Sequence, residues 1–163
     1  MNAETPKTPA RSPKYLVCVD NREECRVALK LACMKAVARG GRVDMLHVLA
    51  PADFQTLGAI AERMREERKA EGEKLLAELA DTAYGTYNIR PNPILREGTV
   101  GEEIITSALA DTDVIMVVIG IAHTSTSRGT LASWLAGQLG TKLPIPLLMV
   151  PGNLTEQQLQ GLV

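Results

Sequence analysis

The feature that most constrains the fold is a repeated alternation between short apolar segments and longer segments with helical periodicity. The apolar segments are rich in β-forming residues and read "KYLVCVD", "RVDMLHVLAP", "NPILREG", "DVIMVVIG" and "IPLLMVP". Between the first two, apolar residues recur at helical spacing, at positions 25, 28, 29, 32, 33, 36 and 37. Strict β-α alternation predicts a single doubly wound α/β domain, a five-stranded parallel sheet with helices on both faces.

The length of 163 residues is that of one domain. The first segment, "MNAETPKTPARSPK", carries three prolines and almost no residues to bury, so we expect residues 1–13 to form a disordered tail. The domain is expected to span 14–151. Residues 152–163 are a C-terminal tail, for which the sequence leaves open a short helix or a frayed end.

Several local signals predict where the helices begin and end. Asn21, followed three residues later by Glu24, has the spacing of a capping box, which predicts the start of the first helix. A long pattern over 54–83 contains a strongly charged stretch of mixed sign, which is typical of a solvated helix face. A further helix is expected over about 130–141, after a loop rich in hydroxyl groups.

Composition excludes several classes of partner. The net charge of −1 gives no overall attraction to nucleic acid or to an acidic membrane, and an aromatic content of 3% leaves few rings on which bases could stack. The sequence shows neither a signal-peptide pattern nor an apolar run long enough to span a membrane. Three cysteines without metal-binding spacing read as small buried residues in a reducing compartment, so a cytoplasmic location is expected.

In a doubly wound sheet, ligands bind beyond the carboxyl ends of the strands, where the strand order reverses. Those ends carry Asp20, the segment 48–51, Gly98 and Gly120. The first turn, "VDNREEC", lacks the glycine pattern of a dinucleotide fold, and no P-loop is present. A phosphate-accepting receiver domain also needs an acidic pair after the first strand, an aspartate at the end of the third and a lysine after the fifth, and of these residues only Asp20 is present.

The segment from about Lys14 to Pro151 resembles the universal stress protein family. The resemblance is carried by "YLVCVD", "VDMLHVLAP", "REGTVGEEIITSALADTDVIMVVIG" and "PIPLLMVP", in that order and spacing. It implies an adenine nucleotide alpha hydrolase-like fold and a homodimer formed through the last strand, residues 145–150. The family contains members that bind ATP and members that do not, and the resemblance implies no dedicated chemistry.

ATP-binding members of the family share a pattern after the fourth strand: a glycine, two residues, a second glycine, nine residues, and a third glycine followed by Ser or Thr. Such glycines let the backbone approach phosphates. In this chain Gly120 matches the first position. His123 and Ser133 stand where the other two glycines belong, and Trp134 stands where the hydroxyl belongs.

Two interpretations of the loop stay open. Either the phosphate site is lost, or it is rebuilt from the hydroxyls of residues 124–127, the guanidinium of Arg128 and the helix start at Gly129–Thr130. The resemblance also implies that Asp20 contacts the nucleoside and that Val48 packs near the base. The alternative for Asp20 is a purely structural role, capping the turn into the first helix.

The candidate nucleotide-binding residues are therefore Asp20, Val48, Gly120, Arg128 and Ser133, with ATP as the possible ligand. His47, inside a strand, is expected to be structural, whereas His123 lies in the loop, where a histidine could titrate near neutral pH. We predict no catalytic or metal-binding residue. The first hypothesis is a regulatory homodimer of the stress response with a lost or altered nucleotide site; the alternative is an ATP-binding protein or slow ATP hydrolase using the loop 120–130.

Overall fold

Five parallel strands form the centre of the molecule. The computed structural model describes residues 11–51, 58–123 and 130–163. The strands are β1 (Lys14–Cys18), β2 (Arg42–Leu49), β3 (Asn92–Glu97), β4 (Val114–Ile121) and β5 (Leu147–Pro151). They lie in the order β3-β2-β1-β4-β5, and every neighbouring pair is parallel. The predicted five-stranded parallel sheet is confirmed.

Helices cover both faces of this sheet. They are α1 (Glu23–Arg39), α2 (Ala59–Tyr87), α3 (Val100–Ala110), α4 (Thr130–Gln138) and α5 (Glu156–Gln160). One core lies between the sheet and α1, α2 and α5, and a second lies between the sheet and α3 and α4. Because β2 lies on one side of β1 and β4 on the other, the strand order reverses between β1 and β4. The gap between their carboxyl ends is where such folds hold ligands.

The first helix begins differently from the sequence-based prediction. Arg22, not Asn21, occupies the N-cap position, and no side chain donates or accepts a capping hydrogen bond there. Instead the Asp20 carboxylate accepts the backbone N–H of Arg22 at 2.8 Å. The predicted capping box of Asn21 and Glu24 is therefore wrong. The carboxylate of Asp20, one residue before Asn21, accepts the N–H group of this turn instead.

The other helix boundaries differ from prediction by a few residues. The helix α2 extends to Tyr87 because Ala83 is buried in the core and Tyr87 packs against it, while the start of the predicted segment, 52–57, lies outside the described residues. The helix α4 ends at Gln138, and an isolated bridge between Leu139 and Leu143 follows.

The two ends of the described chain are anchored to the domain. Ser12 donates to the carbonyl of Gly40 at 2.7 Å, and the carbonyl of Pro13 accepts the N–H of Arg42 at 2.8 Å. At the other end, α5 has a capping box, formed by Thr155 and Gln158, and buries Leu159. The assignment of 1–13 and 152–163 as tails outside the domain stays a prediction.

A cluster of charged side chains lies near the amino-terminal ends of the strands, opposite to the expected site. The Lys14 ammonium lies 2.6 Å from Asp111 and 3.3 Å from the buried Asp44. The hydrogen bond with Asp111 is the main reason that the pKa of Lys14 is raised, and the same bond lowers the pKa of Asp111. The second oxygen of Asp44, Oδ1, is buried and has no partner among the described residues. Lys14 is thus the cation that Asp44 and Asp111 share.

Candidate functional site

A cavity of about 180 Å³ opens where the strand order reverses. It lies at the carboxyl ends of β1, β2 and β4. Most of its wall is apolar or carries a thiol, and it is formed by Cys18, Val19, Cys25, Val48, Val100, Ile119, Gly120 and Leu131. Three polar side chains complete it, those of Asp20, Arg22 and His47. An apolar pocket with a few convergent polar groups is the usual form of a small-molecule site.

Two of the polar side chains, Asp20 and Arg22, are bound to each other. Oδ2 of Asp20 accepts from Nε of Arg22 at 2.8 Å and lies 2.6 Å from its Nη2. Burial alone would raise the pKa of Asp20, but the hydrogen bonds from the side chain and backbone of Arg22 outweigh it and hold that pKa below its ordinary range. The same pairing raises the pKa of Arg22. The carboxylate is therefore charged and already hydrogen-bonded.

His47 joins the carboxyl end of β1 to β2. Its Nδ1 lies 2.8 Å from the carbonyl oxygen of Val19. Because a carbonyl only accepts hydrogen bonds, Nδ1 donates the proton in this contact. The ring packs against Gly72 of α2, where a Cβ would lie 3.0 Å from its Cδ2. The hydrogen bond is the structural role expected for this residue, and the ring also lines the cavity.

The two thiols in the wall are poor nucleophiles. Burial raises the pKa of Cys18 to about 12, with a smaller contribution from the charge of Asp20. Burial and the same carboxylate raise the pKa of Cys25 further. Both thiols are protonated at neutral pH, and the thiolate is the reactive form. All three cysteines are unpaired, and Cys25 and Cys33 are buried, as expected from the sequence, whereas Cys18 is only partly buried.

Gly120 lines the cavity, and its backbone also lies very close to the first turn of α1. A Cβ built on it would overlap the backbone carbonyl group of Glu24 and would lie 2.8 Å from the backbone nitrogen of Cys25. The carboxyl end of β4 therefore packs directly on the first turn of α1. This contact requires a glycine whether or not a phosphate binds nearby.

The last part of the phosphate motif is replaced by a packing contact. The indole of Trp134 lies on the first turn of α3, where a Cβ built on Gly101 would meet its Cε3 and Cζ3 at 2.5 Å. Ser133 is exposed on α4 and is not among the residues that line the cavity, whereas Leu131 is. Arg128, with the rest of the loop 124–129, lies outside the described residues.

The structure thus brings together three of the five predicted site residues. Asp20, Val48 and Gly120 line one cavity, and Ser133 does not. Sequence reasoning missed Arg22. The signal that points to it is an aspartate at the end of a strand with an arginine two residues later, because a turn between them lets the side chains meet.

A wider cavity of about 590 Å³ continues from the site along α2. It shares Asp20, His47 and Val48 with the first cavity and runs along Arg68 and Gly72.

Among the described residues, no cluster of three or more His, Cys, Asp or Glu side chains is placed to hold a metal ion. No helix in the described ranges combines the length and the apolar character needed to cross a membrane.

Several solved structures share this fold. The universal stress protein UspA from Lactobacillus plantarum matches with a TM-score of 0.73 and 16% identity, covering 86% of this chain and 99% of that one. The Archaeoglobus fulgidus universal stress protein in complex with dAMP matches at 0.59 and 16%, covering 85% and 97%. An AMP-bound family protein from Arabidopsis thaliana matches at 0.57 and 16%, covering 85% and 91%.

Sequence comparison gives two findings. No curated protein is similar enough in sequence to count as a relative of this chain. The model of the universal stress protein family, in contrast, matches residues 13–151, which include all five strands and the whole of the cavity. The chain therefore belongs to the universal stress protein family.

Proposed function

We propose that the protein is a regulatory binding module of the stress response that acts as a homodimer and binds an adenine nucleotide at an altered site. The observation that carries this proposal is the cavity at the reversal of strand order, with its apolar walls and its three polar side chains. Two of the similar structures hold dAMP and AMP, which supports an adenine nucleotide as the ligand class.

The site is altered in the part that would hold a polyphosphate. In ATP-binding members, two glycines and a hydroxyl stand where this chain has His123, Ser133 and Trp134. The described lining offers Leu131 at the start of α4, and the indole of Trp134 packs on Gly101. A nucleotide with one phosphate places fewer demands on this region than ATP, so a monophosphate fits the described walls better.

We expect AMP to raise the melting temperature of the purified protein. A ligand at 100 times its Kd adds about 2.7 kcal/mol to the free energy of unfolding. For a chain of this length that corresponds to an increase of roughly 5–10 °C. Differential scanning fluorimetry with AMP, with ATP and magnesium, and with no ligand measures it. Mass spectrometry of the small molecules that co-purify identifies a tightly bound ligand.

Two matched variants locate the effect. Val48→Trp fills the cavity wall and is expected to abolish the stabilisation by AMP. Val37→Trp introduces the same side chain at an exposed position of α1 and is expected to leave the stabilisation unchanged. If millimolar AMP and ATP leave the melting temperature unchanged and no nucleotide co-purifies, the nucleotide proposal is wrong. Release of phosphate from ATP would instead support the slow hydrolase.

The homodimer is proposed to form through β5. Within the described chain this strand pairs only with β4, so its other edge is open. An open edge exposes unpaired backbone groups and is a liability unless another strand covers it. Met149, in the middle of the strand, is 44% exposed. Pairing with a second copy about a two-fold axis would cover the edge and Met149 together.

Sedimentation velocity is expected to give twice the mass of one chain for the unmodified protein. Met149→Glu is expected to give monomers, because the pairing would bring two like charges together across the axis. Leu109→Glu, at an exposed site on α3, is the matched control and should remain dimeric. A monomeric unmodified protein would exclude the dimer. The cytoplasmic location, and the absence of nucleic-acid partners, stay predictions from the sequence.

A further inference from the structure

Both oxygens of the Asp20 carboxylate are engaged by Arg22. Oδ1 accepts the backbone N–H of Arg22, and Oδ2 receives both Nε and Nη2 of the same residue. A carboxylate offers about four lone-pair sites, and the three donors of Arg22 face most of them. The hydroxyls of a ribose, which an acidic residue at such a site accepts in dinucleotide folds, would have to compete with Arg22 for the oxygens of Asp20.

The Arg22 side chain, in contrast, has donors to spare. It lines the cavity and is 59% exposed. A guanidinium carries five N–H groups in a planar fork. Two of them point to Asp20, and the others make no hydrogen bond within the described part of the chain. The neighbouring Glu24 carboxylate lies 3.6 Å from Nε, on the same side as Asp20. Both carboxylates thus hold one side of the guanidinium and leave the other side for a ligand.

The backbone around Arg22 also favours an anion. Arg22 is the N-cap residue of α1, and the first turns of α3 and α4 reach the same cavity through Val100 and Leu131. Helix N-termini carry partial positive charge and unpaired N–H groups. Of the four acidic residues in the first turns of α1 and α3, Glu23 and Glu102 are exposed to solvent, where their charge is screened. The partly buried pair, Glu24 and Glu103, opposes this effect.

We propose that Arg22 is the ligand-selecting residue of this cavity. Its guanidinium binds the phosphate of the ligand, and Asp20 is a positioning residue that holds the guanidinium and does not contact the ligand. The cavity therefore selects a phosphate-bearing nucleoside over the free nucleoside. This inference rests on the proposed nucleotide function, and it assigns a specific partner to the phosphate that the glycine motif no longer provides.

The test is a comparison of AMP with adenosine by isothermal titration calorimetry. The unmodified protein is expected to bind AMP at least tenfold more tightly than adenosine. Arg22→Gln is expected to abolish that preference, by weakening AMP at least tenfold while adenosine binds as well as before or better, because Asp20 is then free to accept a hydroxyl. Arg26→Gln is the matched control: it lies one turn further along α1, contacts Asn21 and should keep the preference.

The positioning role of Asp20 is read from the same ratio of affinities. Asp20→Asn is expected to reduce the preference for AMP, because the neutral amide holds the guanidinium less firmly, and Asp20→Glu is expected to restore part of it. A merely structural role would weaken AMP and adenosine equally and leave the ratio unchanged. An unchanged ratio in Arg22→Gln overturns the inference and leaves the nucleotide function standing.

Inorganic phosphate separates this inference from the proposed function. Phosphate stabilises proteins weakly by exclusion from their surface, so the comparison is between Arg22→Gln and Arg26→Gln at equal phosphate concentration. If adenosine and AMP both fail to bind but phosphate stabilises Arg26→Gln by several degrees more than Arg22→Gln, the anion site stands and the nucleotide function fails. If phosphate stabilises both variants equally and AMP does not bind, both proposals are wrong.

Discussion

Gly120→Ala is expected to lower the free energy of unfolding by about 3 kcal/mol or more, the upper end of what overpacking a well-filled core costs. The added methyl group would overlap the carbonyl group of Glu24, and it would also crowd the backbone nitrogen of Cys25. A backbone obstacle cannot turn aside as a flexible side chain does. Urea denaturation, followed by circular dichroism without any ligand, measures the loss as a lower midpoint.

Gly85→Ala is the matched control for this substitution. Gly85 lies in α2, and a Cβ there would have no neighbour within 4 Å. Alanine favours a helix over glycine by about 0.5–1 kcal/mol, so this variant is expected to be slightly more stable than the unmodified protein. If Gly120→Ala unfolds at the same urea concentration as the unmodified protein, the close contact between β4 and α1 is wrong.

This result bears directly on how the remaining glycine of the phosphate motif is interpreted. If Gly120→Ala destabilises the protein in the absence of any ligand, the packing of β4 on α1 is sufficient to require glycine at that position. The presence of Gly120 then says nothing about phosphate binding. The ligand proposal must be judged on Arg22 and on the cavity walls.

Lys14→Met is expected to lower the free energy of unfolding by about 3–5 kcal/mol, the usual effect of removing one partner of a buried ion pair. Methionine keeps most of the length and the apolar stem of the side chain, but it leaves the carboxylates of Asp44 and Asp111 without their common cation. The Asp44 side chain is only 5% exposed, so water compensates little of the loss. Lys74→Met, which breaks an exposed pair with Glu78, is the control and should change stability by less than about 0.5 kcal/mol.

The pH dependence of this effect follows from the two shifted pKa values. The raised pKa of Lys14 means that its contribution to stability is fully present below the unfolded-state pKa of 10.5 and is lost as pH rises through the folded-state pKa. The lowered pKa of Asp111 means that its contribution to stability is present above the unfolded-state pKa of 3.8 and is lost as pH falls through the folded-state pKa. The difference between Lys14→Met and the unmodified protein should therefore be largest near neutral pH and should shrink in acid. A difference that stays constant down to pH 2 would contradict the assigned charges.

The fold was predictable because its signals are local and repeat along the chain. Each strand is a short apolar run and each helix a periodic segment, and alternation of the two leaves few topologies open. The strand ends that carry Asp20, Val48 and Gly120 follow from that topology alone. These residues line one cavity in the structure.

The details of the site were less accessible to sequence reasoning, because they depend on competition between neighbours and on distant contacts. The capping rule favoured Asn21, but the Asp20 carboxylate accepts hydrogen bonds from both the backbone N–H and the side chain of Arg22. Nothing local in the sequence indicates that Trp134 packs on Gly101, since α3 and α4 meet only through the tertiary fold. The loop 124–129, on which the rebuilt-site hypothesis depends, lies outside the described residues.

The contact between Trp134 and Gly101 has a practical consequence for experiments. Trp134 is the single tryptophan of the chain, so the intrinsic fluorescence excited at the red edge of the absorption band comes from one known position. The indole is 38% exposed and rests on α3, whose first turn also forms the wall of the cavity through Val100. Any ligand that separates α3 from α4 would expose the ring and shift its emission to longer wavelength. Trp134, which stands where the motif has a hydroxyl residue, thus reports movement at the site through its fluorescence.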